Sequence, residues 1–466
     1  MKIKHIIYFL LIFLTLGTER LFIEFIEINK NLSFTNFLEV QLFIIYIIIC
    51  YWSIKKFGIF NLFTLFVFTL GLFNFMKIFY GLFFQDDYRN VNSMIPIKLN
   101  EKSIQETLWV FTLFTLSITL FYSIWISKIN SNKYYKLKNQ WSFEFNLKYF
   151  KIGQSFMLIT LPFVLYRCYI EIKFFSGLSF NEIYIGGSKS IPIPSLIRII
   201  SVFYNVAFMM ILGSRPDKKK FYIYAGLYMI SVFPYLLIGL RNQFALTIVT
   251  LLWYYTKVYN TNIKLWKIVL LSAIAMIGFQ LVSINRDGGE LTTSIFSLIP
   301  LFLTYQSTSM YVLGLYIENK DIIMPNSYPY FLDPAIGWLT GVDGQSLEVL
   351  EVRSSLGHQM IYTLSPEAYL SGMSLGSSCI AELYEFGIIG IIIGTFLMAW
   401  GMVQLENNLK TNKYYLLLSF FLCSYFLIAP RSTFLPNIYF LLRYILVFGV
   451  IHFIWLFYIE LIKRNN

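Results

Sequence analysis

The chain has 466 residues, of which 57% are hydrophobic, 19% aromatic and 13% charged, and its formal net charge is +12. Soluble domains carry roughly 25% charged residues, so this composition excludes a soluble globular enzyme, a disordered chain and a disulfide-stapled secreted domain. It reads instead as an all-α, multi-pass membrane protein, for which dividing the length by a typical domain size has no meaning.

A spanning helix needs about 20 mostly apolar residues. Such runs are predicted at 5–18, 36–54, 57–82, 107–127, 150–172, 191–213, 221–240, 242–259, 264–284, 379–404, 414–430 and 436–462, about twelve spans in all. The first is cut short by Glu19-Arg20. No small-residue cleavage site follows Leu16-Gly17-Thr18, so it reads as a retained anchor and not as a signal peptide. Cys50, Cys168, Cys379 and Cys423 lie in or beside apolar runs without pair spacing, which implies neither a disulfide framework nor a zinc site.

With the N-terminus in the cytoplasm, the cytoplasmic segments collect 21 of the 37 Lys/Arg but only four of the 25 acidic residues. This is the positive-inside bias, and it puts both termini in the cytoplasm. The surplus positive charge is therefore topological and calls for no nucleic acid. Three parts follow: 1–284 with nine spans, 285–378 as a large extracytoplasmic loop, and 379–466 with three more spans. The Lys-rich connection 128–149 reads as a plain topogenic loop. Within the large loop, 291–316 is apolar but interrupted by Pro300 and by Tyr305-Gln306-Ser307-Thr308-Ser309. As a thirteenth span it would place Lys463 and Arg464 outside, so an interfacial or re-entrant helix is expected there. Residues 318–371 are turn-rich, at Pro325-Asn326-Ser327, Asp333-Pro334, Gly341-Val342-Asp343-Gly344 and Ser365-Pro366. They are also too aromatic to be disordered, and a loop this long is expected to be functional.

Three arginines fall at extracytoplasmic helix mouths, against the charge bias: Arg241 in Gly239-Leu240-Arg241-Asn242-Gln243, Arg286 in Asn285-Arg286-Asp287-Gly288-Gly289, and Arg431 in Pro430-Arg431-Ser432-Thr433. Arg443 lies about three turns further along, inside the twelfth span, and Arg167 and Arg198 also fall within spans. One such residue alone is accounted for as a snorkelling anchor. Several guanidinium forks at one depth instead make a site for a polyanionic headgroup such as a lipid-linked pyrophosphate, because each fork donates two parallel charge-assisted hydrogen bonds.

A second constellation runs through residues 357–390. His358 is the only histidine away from the termini, and Ser377 and Ser378 are good N-caps for the helix that follows. Glu382 and Glu385 share one face of its first turns. Helix-dipole capping explains one carboxylate there; two entering an apolar span exceed what capping needs. His358, Glu382 and Glu385 are the candidate proton-transfer groups. Asp86-Asp87 is a weaker acid pair, and a solvated loop accounts for it. No P-loop, dinucleotide fingerprint, HExxH or GxSxG stands in a suitable context, so nucleotide-driven transport and a metal centre are not expected.

In this layout the chain resembles the bacterial O-antigen polymerases (Wzy), the oligosaccharide repeat-unit polymerases. The resemblance covers nearly the whole chain, and its sharper part lies in GLRNQ at 239–243, NRDGG at 285–289, LGSSCIAELYEFG at 375–387 and PRST at 430–433. It implies a GT-C-type glycosyltransferase of the inner membrane, working at the periplasmic face on undecaprenyl-pyrophosphate-linked oligosaccharide donor and acceptor. It further implies no cofactor, no nucleotide sugar and no obligatory metal, and a polysaccharide chain-length regulator as partner. By the same resemblance Arg241, Arg286 and Arg431 correspond to the periplasm-facing arginines important there, and His358 to a loop histidine of the polymerase and ligase group; with Arg443 added, the four arginines are the candidate pyrophosphate-binding residues. In the chemistry so implied, the arginines stabilise the departing pyrophosphate, and His358, Glu382 or Glu385 takes the acceptor proton. Tyr305, Trp338, Tyr362 and Tyr369 either stack on sugars or fold the loop. Two rival functions remain at this stage, a lipid-linked oligosaccharide flippase and an O-antigen ligase. The flippase would use a midplane site and need no large one-sided loop.

Overall fold

The computed structural model describes residues 15–21, 23, 32–84, 88, 98–131, 146–175, 192–237, 241–261, 263–286, 297–323, 326–342 and 344–465. A short helical segment at 15–21 comes first. In chain order the helices that follow are α1 (Leu32–Phe57), α2 (Leu62–Phe84), α3 (Glu101–Ser131), α4 (Leu147–Phe175), α5 (Ser195–Gly213), α6 (Lys218–Leu237), α7 (Arg241–Tyr259), α8 (Leu265–Arg286), α9 (Leu298–Gln306), α10 (Ser309–Asn319), α11 (Asp333–Ile336), α12 (Leu347–Val352), α13 (Leu356–Leu364), α14 (Pro366–Leu370), α15 (Cys379–Tyr384), α16 (Gly387–Asn408), α17 (Lys413–Ile428) and α18 (Ile438–Asn465). The described residues contain no β-strand.

Eight helices, α1–α5 and α16–α18, are long and apolar enough to cross a membrane. Three more of the expected spans are present as helices of mixed polarity. Lys218, Lys219 and Lys220 open α6, Arg241-Asn242-Gln243 opens α7, and the apolar part of α8 is limited to Trp266–Leu281. Most of the run expected at 5–18 lies outside the described residues, as do 132–145 of the Lys-rich connection and 287–296. Two boundaries move for local reasons. The run expected at 57–82 starts after a turn at Gly58, and Asn61 caps α2 by accepting the Phe63 amide at 3.0 Å. The run expected at 379–404 is two helices, because Gly387 takes φ +59°, a left-handed conformation that glycine tolerates and that separates α15 from α16.

Residues 291–316 do not make one helix. The described part forms α9 and α10, of 9 and 11 residues, separated by Ser307-Thr308, and each is too short to cross a bilayer. Residues Ser309–Leu315 are buried throughout, and α10 packs against α3. Around α3 stand α1, α10 and α16; α5 packs on α4, α17 and α18; α9 joins α8 to the second half of α2. Most buried side chains belong to one continuous apolar core, with Trp253, Tyr122 and Phe63 among the largest in it.

One end of the bundle is closed by a carboxylate. Glu406 of α16 pairs with Lys257 of α7 at 2.9 Å and accepts the Leu62 amide of α2 at 2.7 Å. It also accepts from the Asn61 side chain and, at 3.4 Å, from the Trp253 indole. Three helices thus meet on one anion, whose burial is offset by four donors. Glu406→Ala is expected to destabilise the protein by about 3 kcal/mol or more, because it strands Lys257 and the α2 N-terminus. Thermal unfolding in detergent micelles should show the combined Glu406→Leu/Lys257→Met variant melting above the single Glu406→Ala variant.

Candidate active site

The site grows out of a defect in α2. Residues Gly71–Phe75 form a π-turn, a geometry in which backbone groups lose their regular partners. Here the Leu72 carbonyl accepts the Ser307 hydroxyl at 2.7 Å, and the Asn74 side chain donates to the Pro430 carbonyl at 3.2 Å. The break between α9 and α10 and the turn after α17 are therefore both sewn to the widened turn of α2. Arg431 leaves that last turn, donates to the Gln306 side-chain oxygen and lies over the Phe73 ring at 5.6 Å.

Three residues later the same turn meets α15. The Phe434 amide donates to Glu382 at 2.7 Å, and the Ser377 hydroxyl donates to the other carboxylate oxygen at 2.8 Å. Glu382 is only 2% exposed, on a short helix outside the span that begins at Gly387. Burial pushes its carboxyl up to about 8, against the opposing pull of the Phe434 and Ser377 bonds, while Asp333 and Glu385 repel its charge. Two buried polar atoms nearby have no partner among the described residues: the Ser378 hydroxyl, beside Ser377, and the Asn74 side-chain oxygen. Unspent buried polar groups of this kind ask for a ligand or water. Glu385 faces elsewhere. It accepts the Asn326 side chain at 2.6 Å and the Tyr330 amide at 2.9 Å, and burial raises its carboxyl as well. The ring of Phe331, next to Tyr330, packs on Phe434, so both acids hold the loop and the last turn together.

The remaining candidates are spread more widely than one cluster. His358 sits on α13, where Gly357 lies so close to the Gly376 carbonyl that any Cβ would overlap it. Its Nδ1 is 3.3 Å from the Tyr369 hydroxyl, which itself donates to the Ser346 carbonyl at 3.1 Å. Burial holds the Tyr369 phenol in its protonated form. The phenol proton goes to Ser346, so the contact between the hydroxyl and Nδ1 depends on the imidazole tautomer. Arg241 donates to the Phe279 carbonyl of α8 at 2.6 Å, and Phe279 in turn packs on Phe302 of α9, one turn before Gln306. Arg431 thus meets α9 directly at Gln306, and Arg241 is linked to it only through Phe279 and Phe302 among the described residues. Arg443 is placed apart, donating to the Arg198 carbonyl of α5 at 3.4 Å. The side chain of Arg286 and the pair Asp86-Asp87 lie outside the described residues. Arg167 is bound to Glu171 at 2.7 Å and to Tyr235, which makes it a buried pair within the bundle.

Sequence reading missed three contributors. Asn74 is an isolated amide in an apolar run, and the only available signal was its polarity. Gln306 was visible as part of a polar cluster but without a role. Asp333 and Arg353 form a bidentate pair, at 2.6 and 3.1 Å, with the Tyr328 hydroxyl donating to the same carboxylate at 2.8 Å. Twenty residues separate the two charges, and no local pattern connects them.

A buried carboxyl poised near neutrality, a guanidinium three residues from its amide partner, and unspent polar atoms on Ser378 and Asn74 suit transfer chemistry on an anionic substrate. Comparisons with known proteins agree with that reading. Neither the curated proteins nor the solved structures provide a significant match. The family described as O-antigen polysaccharide polymerase Wzy matches residues 3–465, nearly the whole chain. The chain therefore belongs to the Wzy family of O-antigen polysaccharide polymerases.

Proposed function

We propose that the chain joins oligosaccharide repeat units carried on undecaprenyl pyrophosphate, at the periplasmic face of the inner membrane, with both termini in the cytoplasm. The observation that carries this reading is Glu382 bonded to the Phe434 amide beside Arg431. The donor is the growing glycan on its lipid pyrophosphate and the acceptor is a hydroxyl of a new repeat unit. As the acceptor oxygen attacks the anomeric carbon, the bond from that carbon to the phosphate oxygen breaks, and its electron pair leaves with the pyrophosphate. Arg431, held in place by Gln306 and Phe73, stabilises the charge that develops there, with Arg241 and Arg286 as further cations on the same carrier. Glu382 takes the acceptor proton; Glu385 and His358 are the other candidates for that role. The fork of Arg431, oriented by Gln306 and the Phe73 ring, supports a role in holding phosphate. The lysine-rich segments fit the cytoplasmic side, and a chain-length regulator is the expected protein partner.

Arg431→Lys keeps the charge and loses the fork, so it should cut polymerisation at least tenfold. Gels of surface polysaccharide should then show a single repeat unit on the lipid core in place of a ladder. Core without any unit would indicate a ligase, and a unit trapped in the cytoplasm a flippase. A base with its carboxyl near 8 must ionise before it works, so turnover in reconstituted vesicles should climb about tenfold per pH unit below that value and level off above it. A limb that persists in Glu382→Gln would move the base to Glu385 or His358. Because the folded protein raises this carboxyl, stability falls as pH climbs from the usual carboxylate range through about 8. Glu382→Gln retains the shape and removes that cost, so at pH 8 and above it should melt higher than the parent while losing polymerisation.

A further inference from the structure

Glycosyl transfer between two lipid-linked saccharides imposes a geometric requirement. The donor reacts at the carbon bonded to its diphosphate, so that diphosphate lies at the reaction centre. The acceptor reacts through a hydroxyl at the far end of its glycan, so its own diphosphate stays a full repeat unit away. One cationic site cannot hold both. Arg431 touches Gln306 of α9 and Phe73 of α2, whereas Arg443 touches α5 and the aromatic pair described next, and the two share no partner among the described residues.

Arg443 stands in a different setting from the other arginines. Its guanidinium lies 6.0 Å from the Tyr439 ring, and Tyr439 lies 5.4 Å from the Trp338 ring at a 35° tilt. The Trp338 indole donates to the Ala335 carbonyl at 2.7 Å, which fixes its plane, and the residue remains 40% exposed. Tyr439 is 38% exposed. Among the described residues Arg443 pairs with no carboxylate, and its one hydrogen bond, to the Arg198 carbonyl, is long at 3.4 Å. Most of its donors are thus unspent. It sits five residues into α18, about 8 Å along the axis, near the start of the candidate span Ile438–Phe457 and within snorkelling reach of a headgroup. The apolar window of that helix is the least buried of the eight candidate spans, at 11%. An isoprenoid tail can therefore lie in the bilayer along α18 while its diphosphate meets the guanidinium and its first sugar meets the two rings.

We propose that Arg443, Tyr439 and Trp338 form a second subsite, which holds the diphosphate and first sugar of the acceptor. It rests on the polymerase reading only for the word acceptor; binding of a lipid-diphosphate saccharide is tested without it. Full-length protein in phosphatidylcholine nanodiscs is titrated with three probes: the lipid-diphosphate repeat unit purified from polymerase-deficient cells, bare polyprenyl diphosphate, and phosphatidylglycerol. The signal is the emission component lost in Trp338→Phe. The repeat unit should change that component, and Arg443→Ala should raise its half-saturating concentration at least tenfold. Bare diphosphate should bind in an Arg443-dependent way without altering Trp338, and phosphatidylglycerol should do neither. If phosphatidylglycerol reproduces both effects, Arg443 is an ordinary headgroup anchor and the subsite is overturned. In turnover, Arg443→Lys should raise the half-saturating acceptor concentration about tenfold and leave that of the donor unchanged; equal shifts for both would also overturn it. Wild-type protein that binds the unit but joins none would sink the polymerase reading and leave the subsite standing.

Discussion

The hydrogen bond from the Phe434 amide to the Glu382 carboxylate fastens the last turn between spans onto α15. In a water-poor setting neither group can be left alone. An unmet amide costs about 1–3 kcal/mol and a buried carboxylate more. Pairing them fixes the turn, and the turn fixes the direction in which Arg431 departs. The same constraint operates on α2, where the Ser307 hydroxyl satisfies the Leu72 carbonyl of the π-turn and the Asn74 side chain satisfies the Pro430 carbonyl. Backbone satisfaction, more than side-chain attraction, is what gathers four distant stretches of chain into one place.

The two ends of the bundle treat charge differently. At Glu406, opposite charges meet directly and donors fill the remaining lone pairs. At the other end Arg431 is held by an amide oxygen and an aromatic face, and Arg443 by a carbonyl and an aromatic face. Such contacts orient a guanidinium, by the direction of its fork and by the face of a ring.

The helical class of the fold was legible in composition, because long apolar runs admit few other structures in a bilayer. Arg431 and Glu382 were legible because each breaks a local rule: a cation where the bias disfavours it, a second acid where one cap suffices. Boundaries were less so. Gly387 and Asn61 decide where two spans begin, through a left-handed φ and a side-chain cap that hydropathy does not register. Convergence was not legible at all. That Arg431 belongs with Asn74 and Gln306 depends on contacts over more than a hundred positions, and that Arg443 stands apart depends on how α18 meets α5.

The Glu406 junction has a consequence for movement. It ties α2, α7 and α16, and those same helices carry the π-turn, Arg241 and the segment following Glu382 toward the opposite end. Among the described residues the far ends of α2 and α16 are joined only by single hydrogen bonds at the π-turn and the turn after α17, whereas the Glu406 end is locked by an ion pair with several donors. Any opening that passes a lengthening polysaccharide would therefore occur at the Arg431 end and leave the Glu406 end shut.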